Sequence, residues 1–262
     1  MPTTLITGGS SGIGLETARL LARDGHRLLI VSLLEEELAA AKKKLETEVP
    51  GVQVDTLAKD LSQPGSAQAV YDWVRQKGEH LDCLVNNAGF GTYGFIDDID
   101  MQREVDMINL HVVTLYQLTR LFLKDMIARD AGRIINLSSI SAFQSNPLLA
   151  TYGATKSFVL QFSRSINYEL KNKGSRVRVT AICPPPIKST GFQSASNMDG
   201  SKLFDSWMVQ TPQEVARTIQ RSLQTGPDIA IPGRGLKWVY YLTKRLPDSW
   251  QTRLSAAHLK PN

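Results

Sequence analysis

The chain has 262 residues, of which 42% are hydrophobic and 21% charged, as in ordinary globular proteins. Its 30 Lys and Arg against 25 Asp and Glu form no basic stripe, which argues against a nucleic-acid partner. No run approaches the roughly 18 apolar residues that cross a bilayer, so we expect a cytoplasmic protein. Cys83 and Cys183 lie in apolar runs. We expect buried free thiols there, with a disulfide as the alternative, and no metal site.

Apolar runs and amphipathic segments alternate along the chain. Strands are predicted at 3–7, 28–32, 52–58, 81–86, 132–137 and 177–182, with helices from about Gly12 and over 35–46, 66–77, 105–126 and 152–170. This alternation predicts βαβ units in a doubly wound, Rossmann-type α/β fold of three α/β/α layers, with ligands at the carboxyl ends of the strands. No linker-like stretch divides the chain, so we expect a single domain over 1–262.

A glycine-rich turn, TGGSSGIG, joins the first predicted strand to the first helix. Glycines allow a tight turn and a close backbone approach, and a helix N-terminus favours a pyrophosphate. The turn therefore predicts a dinucleotide site, although a plain tight connection is the alternative. The candidate contacts are Gly8, Ser10, Ser11, Gly12, Ile13 and Gly14.

Tyr152 and Lys156 form a YxxxK pair in a predicted helix, thirteen and seventeen residues after Ser139. Residues four apart share one helix face, so the Lys ammonium is expected to lower the pKa of the phenol and suit it to acid–base chemistry. An isolated pair of this kind is more commonly an ordinary surface pair.

Together these motifs resemble the classical short-chain dehydrogenase/reductase family, over about the first 230 residues. The resemblance implies that Ser139 binds the substrate oxygen, that Tyr152 exchanges its proton, and that Lys156 holds the cofactor ribose and biases Tyr152. It also implies that Asn109 holds a water linked to Lys156, with a polar helix residue lacking chemistry as the alternative. Ser138 is expected to point away from the pocket, because neighbours in a strand alternate. His111 is expected at the surface or an interface.

The same resemblance assigns further cofactor contacts after three other strands. The sequence Asn86-Asn87-Ala88-Gly89 matches the family's NNAG, with Asn87, Ala88 and Gly89 as contacts. Asp60 and Leu61 match an adenine-binding position, although a turn-forming Asp is the alternative. After the sixth strand the candidates are Pro184, Ile187 and Ser189. There Pro185 replaces a family glycine, and proline fixes φ and removes an N–H.

The cofactor is predicted to be NADP or NAD. An acidic residue at the end of the second strand would bind the ribose 2′-hydroxyl, but the segment reads Ile30-Val31-Ser32-Leu33-Leu34. The Arg that NADP-using relatives often carry is also missing. With Ser32 as a weak candidate contact, the sequence leans slightly to NADP.

The last part of the chain is expected to form the substrate side. The resemblance places a substrate lid at about 190–210, and Phe143, Leu148, Phe192, Phe204 and Trp207 are candidate apolar walls. Thr211 and Glu214 read as a capping box. The atypical tail, about 231–262, mixes aromatic and basic residues. It suits a membrane-surface helix, a helix against a partner subunit, or a helix over the pocket.

These features predict an NAD(P)-dependent oxidoreductase that interconverts a carbonyl and a secondary alcohol on a hydrophobic small molecule. The alternative is a non-catalytic dinucleotide sensor or scaffold; an epimerase or dehydratase on this fold is less favoured. The resemblance implies a homodimer or homotetramer built on the helices at 105–126 and 152–170.

Overall fold

The fold is described from a computed structural model, which covers residues 1–78, 80–188, 196, 198, 208–233 and 235–259. A seven-stranded parallel sheet runs through it in the order β3-β2-β1-β4-β5-β6-β7. The strands are β1 Thr3–Thr7, β2 Arg27–Ser32, β3 Val54–Ala58, β4 Cys83–Asn86, β5 Arg133–Leu137, β6 Arg178–Ile182 and β7 Ile229–Ala230. The predicted doubly wound fold is confirmed. The edge strand β7 was not predicted, because two residues carry no periodic signal.

Helices connect the strands and cover both faces of the sheet. They are α1 Gly12–Arg23, α2 Glu35–Glu48, α3 Ser66–Gln76, α4 Met101–Ile108, α5 Leu115–Ala128, α6 Ala150–Asn172, α7 Pro212–Thr225, α8 Leu236–Thr243 and α9 Asp248–Leu259. The capping box at the start of α7 is present, since the Thr211 hydroxyl and the Glu214 carboxylate each accept a backbone N–H of the other residue.

The prediction of one continuous helix over 105–126 was wrong. The helical stretch begins at Met101, and a π-helical segment, Asn109–Thr114, separates α4 from α5. Its wider turn places both His111 and Thr114 inside the protein. The Thr114 hydroxyl donates to the Leu61 carbonyl at 2.7 Å, which anchors the segment to the loop after β3. Such segments are frequent at functional sites.

The core has two layers, one on each face of the sheet, because successive strand residues alternate. On one face Ile6 packs with buried residues of α1, α2 and α7. On the other face Leu5 packs with residues of α3, α5 and α6. Both cysteines are buried free thiols. Among the helices of the described ranges, none is long and apolar enough to span a membrane.

Candidate active site

The glycine turn lies where the carboxyl ends of β1 and β4 meet. Gly8 has φ +63°, a left-handed conformation that favours glycine. A Cβ on Gly14 would lie 2.1 Å from the Gly8 carbonyl oxygen, so no side chain fits there. The Asn87 amide donates to the Thr7 and Gly8 carbonyls at 3.0 and 2.9 Å and holds the turn closed.

This turn fits a pyrophosphate. Ser11 is the N-cap of α1 in extended conformation, its side chain makes no capping hydrogen bond, and the first turn contains no acidic residue. The first backbone N–H groups and the positive end of the helix dipole are therefore available to an anion. Gly8, Ser10, Ser11, Gly12 and Ile13 all line one large cavity of about 1010 Å³. Gly14 does not line it but is buried below the turn.

Ser139 and Tyr152 meet in the same cavity. Ser139 follows β5 and caps the short 3₁₀ helix Ile140–Phe143, while Tyr152 lies in the first turn of α6. Their side chains are hydrogen-bonded to each other. Ser138, expected to point away from the pocket, also lines the cavity, and its hydroxyl donates to the Lys156 carbonyl at 2.8 Å.

Lys156 completes a cluster of three polar side chains. It lies one helical turn after Tyr152, is only 5% exposed, and its ammonium lies 5.6 Å from the centre of the Tyr152 ring. The Lys156 Nζ donates to the Leu137 carbonyl at 3.1 Å. Tyr152 and Lys156 of the YxxxK motif are therefore not an isolated surface pair.

The expected lowering of the Tyr152 pKa was wrong. Burial raises the pKa of Tyr152 to about 12, and the hydrogen bond with Ser139 offsets only part of that rise. Burial also lowers the pKa of Lys156 to about 7, because it disfavours the charged ammonium. The sequence pattern indicated the proximity of the two groups but not how deeply both are buried.

Contrary to the sequence prediction, Asn109 does not lie in the middle of a regular helix. It is the first residue of the π segment and is half-buried. His111, expected at the surface or an interface, is instead 1% exposed. Its Nδ1 lies 3.0 Å from the Thr155 hydroxyl, and its ring meets the Tyr152 ring edge-on at 5.9 Å. The π turn is what brings it inside. Nothing in the sequence pattern signalled a π turn at this point.

The other predicted cofactor contacts lie around the same cavity. Asp60, Leu61, Asn87, Ala88 and Gly89 all line it. The Asp60 carboxylate accepts hydrogen bonds from the Ser62 N–H and hydroxyl at 2.9 and 2.7 Å. Burial alone would raise the pKa of Asp60, but these bonds keep it below its ordinary value. The turn-forming role of this residue is thus present in the structure.

The three prolines after β6 also line the cavity, together with Ile187. The Pro184 carbonyl accepts the Ile140 N–H at 3.0 Å, and the Pro186 carbonyl accepts the Gln210 N–H at 3.0 Å. The loop is therefore tied on both sides despite its missing N–H groups. Ser189, Thr190, Phe192, Phe204 and Trp207, and with them most of the expected lid, lie outside the described residues.

The remaining wall of the cavity is largely apolar and comes from the tail. Leu236, Tyr240, Leu254 and Leu259 line it, and the Tyr240 ring lies 3.9 Å from the Phe143 ring. Of the three arrangements considered for the tail, a helix over the pocket is therefore present. Leu148, a candidate wall residue, does not line the cavity; Leu149 does.

One acidic residue near the turn was missed. Glu37, in the first turn of α2, lines the cavity and accepts a hydrogen bond from the Ser10 hydroxyl at 2.9 Å. Glu37 lies beyond the end of β2, where an acidic residue was expected to bind the ribose. The acidic residues in the first turn of α2 were the sequence signal that could have indicated a carboxylate near the glycine turn.

Comparisons with known proteins identify the family to which the chain belongs. The model of the short chain dehydrogenase family matches residues 2–200. A very-long-chain 3-oxoacyl-CoA reductase of Anas platyrhynchos is 35% identical over 186 residues, which cover 69% of this chain and 58% of the relative. The chain thus spans less than two thirds of that relative's length.

Two further similarities cover more of both chains. A monensin polyketide synthase putative ketoacyl reductase of Streptomyces virginiae is 30% identical over 231 residues, covering 82% of this chain and 87% of the relative. A short-chain dehydrogenase from Sphingobium yanoikuyae in complex with NADPH superposes with a TM-score of 0.81 at 29% identity, covering 94% and 93% of the two chains. The chain therefore belongs to the short-chain dehydrogenase/reductase family.

Proposed function

We propose that this protein interconverts a carbonyl and a secondary alcohol on a hydrophobic substrate, with Tyr152 as the acid–base group. The observation that carries the proposal is the hydrogen-bonded pair of Ser139 and Tyr152 beside Lys156, in the cavity that also contains the glycine turn. When bound, NAD(P)H supplies the hydride. The Ser139 hydroxyl binds and orients the substrate oxygen, and the Tyr152 phenol donates the proton that this oxygen takes up.

The raised pKa of Tyr152 suits proton donation in the direction of carbonyl reduction. With the pKa at about 12, the phenol is protonated at neutral pH. In this proposal Lys156 holds the ribose of the cofactor and, when charged, stabilises the tyrosinate left after proton transfer. We assign Asn109 the role of holding a water near Lys156, because the π segment that begins there interrupts regular helical hydrogen bonding.

The substrate class follows from the cavity wall. Phe143, Leu149, Leu236 and Leu259 present apolar surface to the cavity, which favours an alkyl chain or ring system over a sugar. The two relatives described above are named as 3-oxoacyl-CoA and ketoacyl reductases, and this supports a 3-oxoacyl thioester as substrate.

The test is a panel of carbonyl compounds, each assayed with NADH and with NADPH. Turnover is measured as the decrease in absorbance of the reduced nicotinamide. The panel contains 3-oxoacyl thioesters of increasing chain length, a bulky cyclic ketone and a keto sugar. We expect kcat/KM to rise with chain length and the keto sugar to be unreactive. Tight cofactor binding without turnover on any compound contradicts the proposal and favours the non-catalytic sensor.

We propose that two copies pair through α4, the π segment, α5 and α6. Val105, Val113, Tyr116 and Phe158 are each about two fifths exposed there, at 40, 41, 41 and 37%. This is an apolar face that a second copy would cover.

The pairing is tested by light scattering after size exclusion. Tyr116→Glu should give a monomer, because a charge in an apolar interface costs several kcal/mol. Trp238→Glu, at a residue that is 73% exposed on α8 and outside the pairing helices, should leave the assembly unchanged. A wild-type monomer contradicts the pairing.

We also propose that the outer side of the tail binds anionic lipid. Trp238 and Leu242 on α8, and Trp250 on α9, are at least 60% exposed. Lys237, Lys244, Arg245 and Arg253 surround them in the sequence. Exposed aromatics beside basic residues suit a membrane surface.

The lipid contact is tested by sedimentation with vesicles. We expect binding to vesicles that contain phosphatidylserine and loss of that binding in a Trp238→Ser/Trp250→Ser variant. Tyr168→Ser is the control, because it removes an exposed aromatic outside the tail. Equal recovery of the wild type in the supernatant with and without vesicles contradicts the contact.

A further inference from the structure

The Glu37 carboxylate reaches from α2 to the glycine turn. Ser10 Oγ lies 2.9 Å from Glu37 Oε2 and 2.8 Å from Ser32 Oγ. Three elements that the sequence separates, the turn after β1, the end of β2 and the start of α2, therefore meet in one polar cluster. All three residues line the cavity.

The directions of these hydrogen bonds follow from counting hydrogens. A serine hydroxyl has a single hydrogen to donate. Ser10 donates it to the carboxylate, so towards Ser32 it accepts, and Ser32 donates. Both hydroxyl hydrogens are then committed, and the cluster offers a bound ligand acceptor atoms rather than donors.

An acceptor-rich cluster distinguishes two kinds of ribose. A ribose with free 2′- and 3′-hydroxyls donates hydrogen bonds, and a carboxylate accepts them strongly. A 2′-phosphate carries a charge of about −1.5 to −2 at neutral pH and only accepts. Beside a carboxylate it would be repelled, with no hydroxyl hydrogen free to bind it.

The position of the cluster relative to the helix N-terminus makes this distinction relevant. Ser10 belongs to the turn whose following residues form the proposed pyrophosphate site at the start of α1. In a dinucleotide the adenosine ribose is bonded directly to the pyrophosphate. Ser10 is 8% exposed and holds the carboxylate towards the turn.

We propose that Glu37 determines cofactor choice in this protein and selects NAD(H) over NADP(H). The inference rests on the proposed function, since it concerns the cofactor of that same site. It also reverses the slight preference for NADP that the sequence suggested. The carboxylate comes from the first turn of α2 and not from the end of β2.

The opposing group at this site is Lys59. It is half-buried, lines the cavity, and its backbone N–H donates to the Ser32 carbonyl at 2.8 Å. Its ammonium could attract a 2′-phosphate. Within the described part of the chain no salt bridge joins it to Glu37, so it does not neutralise the carboxylate by direct pairing.

The experiment measures binding, not turnover. Dissociation constants for NADH, NADPH, ADP-ribose and 2′-phospho-ADP-ribose are obtained by titration calorimetry at low and high salt. We expect the wild type to bind each ligand without the 2′-phosphate at least about tenfold more tightly than its phosphorylated counterpart. Salt should narrow the difference, because it screens the repulsion.

Matched variants assign the effect to one carboxylate. Glu37→Gln should reduce the preference at least about tenfold, chiefly through tighter binding of the 2′-phosphorylated ligands. Glu36→Gln makes the same charge change at the neighbouring exposed residue of the first turn, and it should leave the preference unchanged. In the Glu37→Gln background, the further change Lys59→Met should weaken the binding of the 2′-phosphorylated ligands.

The outcomes separate this proposal from the function it rests on. Equal or tighter wild-type binding of NADPH overturns the role of Glu37 while leaving the oxidoreductase intact. Equal shifts in Glu36→Gln and Glu37→Gln also overturn it, since a long-range charge effect would then suffice. Failure of all four ligands to bind overturns both proposals.

Discussion

The Tyr152→Phe variant is expected to lose about 10²- to 10⁴-fold in kcat, the usual contribution of a positioned general acid. The phenol hydroxyl is hydrogen-bonded to Ser139 in the cavity, and its pKa of about 12 keeps it protonated at neutral pH. Phenylalanine keeps the ring, which packs against His111. The dissociation constant of the cofactor should therefore change only a few-fold, as measured by titration calorimetry.

Tyr93→Phe is the matched control for this variant. Tyr93 packs in the same small apolar cluster as Tyr152, and its hydroxyl donates to the Leu259 carbonyl in the tail. Its loss should lower stability by about 1 kcal/mol, a typical hydrogen-bond contribution, with kcat within a few-fold of wild type. If Tyr152→Phe retained wild-type kcat, or if both variants lost it equally, Tyr152 would not be the acid.

Lys156→Met is expected to abolish turnover and yet stabilise the cofactor-free protein at neutral pH. Burial lowers the pKa of Lys156 to about 7 from its ordinary 10.5. The unfolded chain therefore holds more protons than the folded chain between these two values, and wild-type stability rises with pH across that window. Below pH 7 the full cost of the buried charge applies. Replacing buried ionic groups with well-packed apolar residues of similar volume is often neutral or stabilising by about 1–4 kcal/mol.

The gain should depend on pH in a defined way. Chemical denaturation at several pH values should show the largest difference between Lys156→Met and wild type at or below pH 7, shrinking towards pH 10. Lys171→Met is the control, because Lys171 is paired with Asp228 at the surface. That pair is worth at most about 1 kcal/mol, so its loss should not stabilise the protein. A pH-independent difference for Lys156→Met would contradict the assignment of a buried, neutralisable amine.

The strands illustrate what local sequence predicts well. Runs such as Leu28–Ser32 are apolar on both faces, and the glycine turn follows the first of them directly. Because parallel strands are buried on both sides, their composition reports their role without knowledge of the rest of the chain. The order of the sheet and the meeting of the glycine turn with Ser139, Tyr152 and Lys156 follow from the alternation of strands and helices together with the family motifs.

The protonation states of Tyr152 and Lys156, in contrast, could not be predicted from local sequence. Tyr152 and Lys156 were correctly expected to be neighbours, but the direction of the Tyr152 pKa shift was not, because burial outweighs the partner. The extent of burial depends on α6, β5 and the tail packing together. None of these elements, taken alone, shows how deeply Tyr152 and Lys156 are buried.

The sequence by itself determined six of the seven strands, the glycine turn and the spacing of the polar residues that meet at the edge of the sheet, because each is encoded by a local pattern of period, turn chemistry or motif. Only the tertiary structure decided that His111 lies inside, that the tail closes the cavity, and that the Glu37 carboxylate reaches Ser10. These are contacts between residues far apart in the chain. They depend on a π turn and on how helices pack on the sheet, and no local pattern records either.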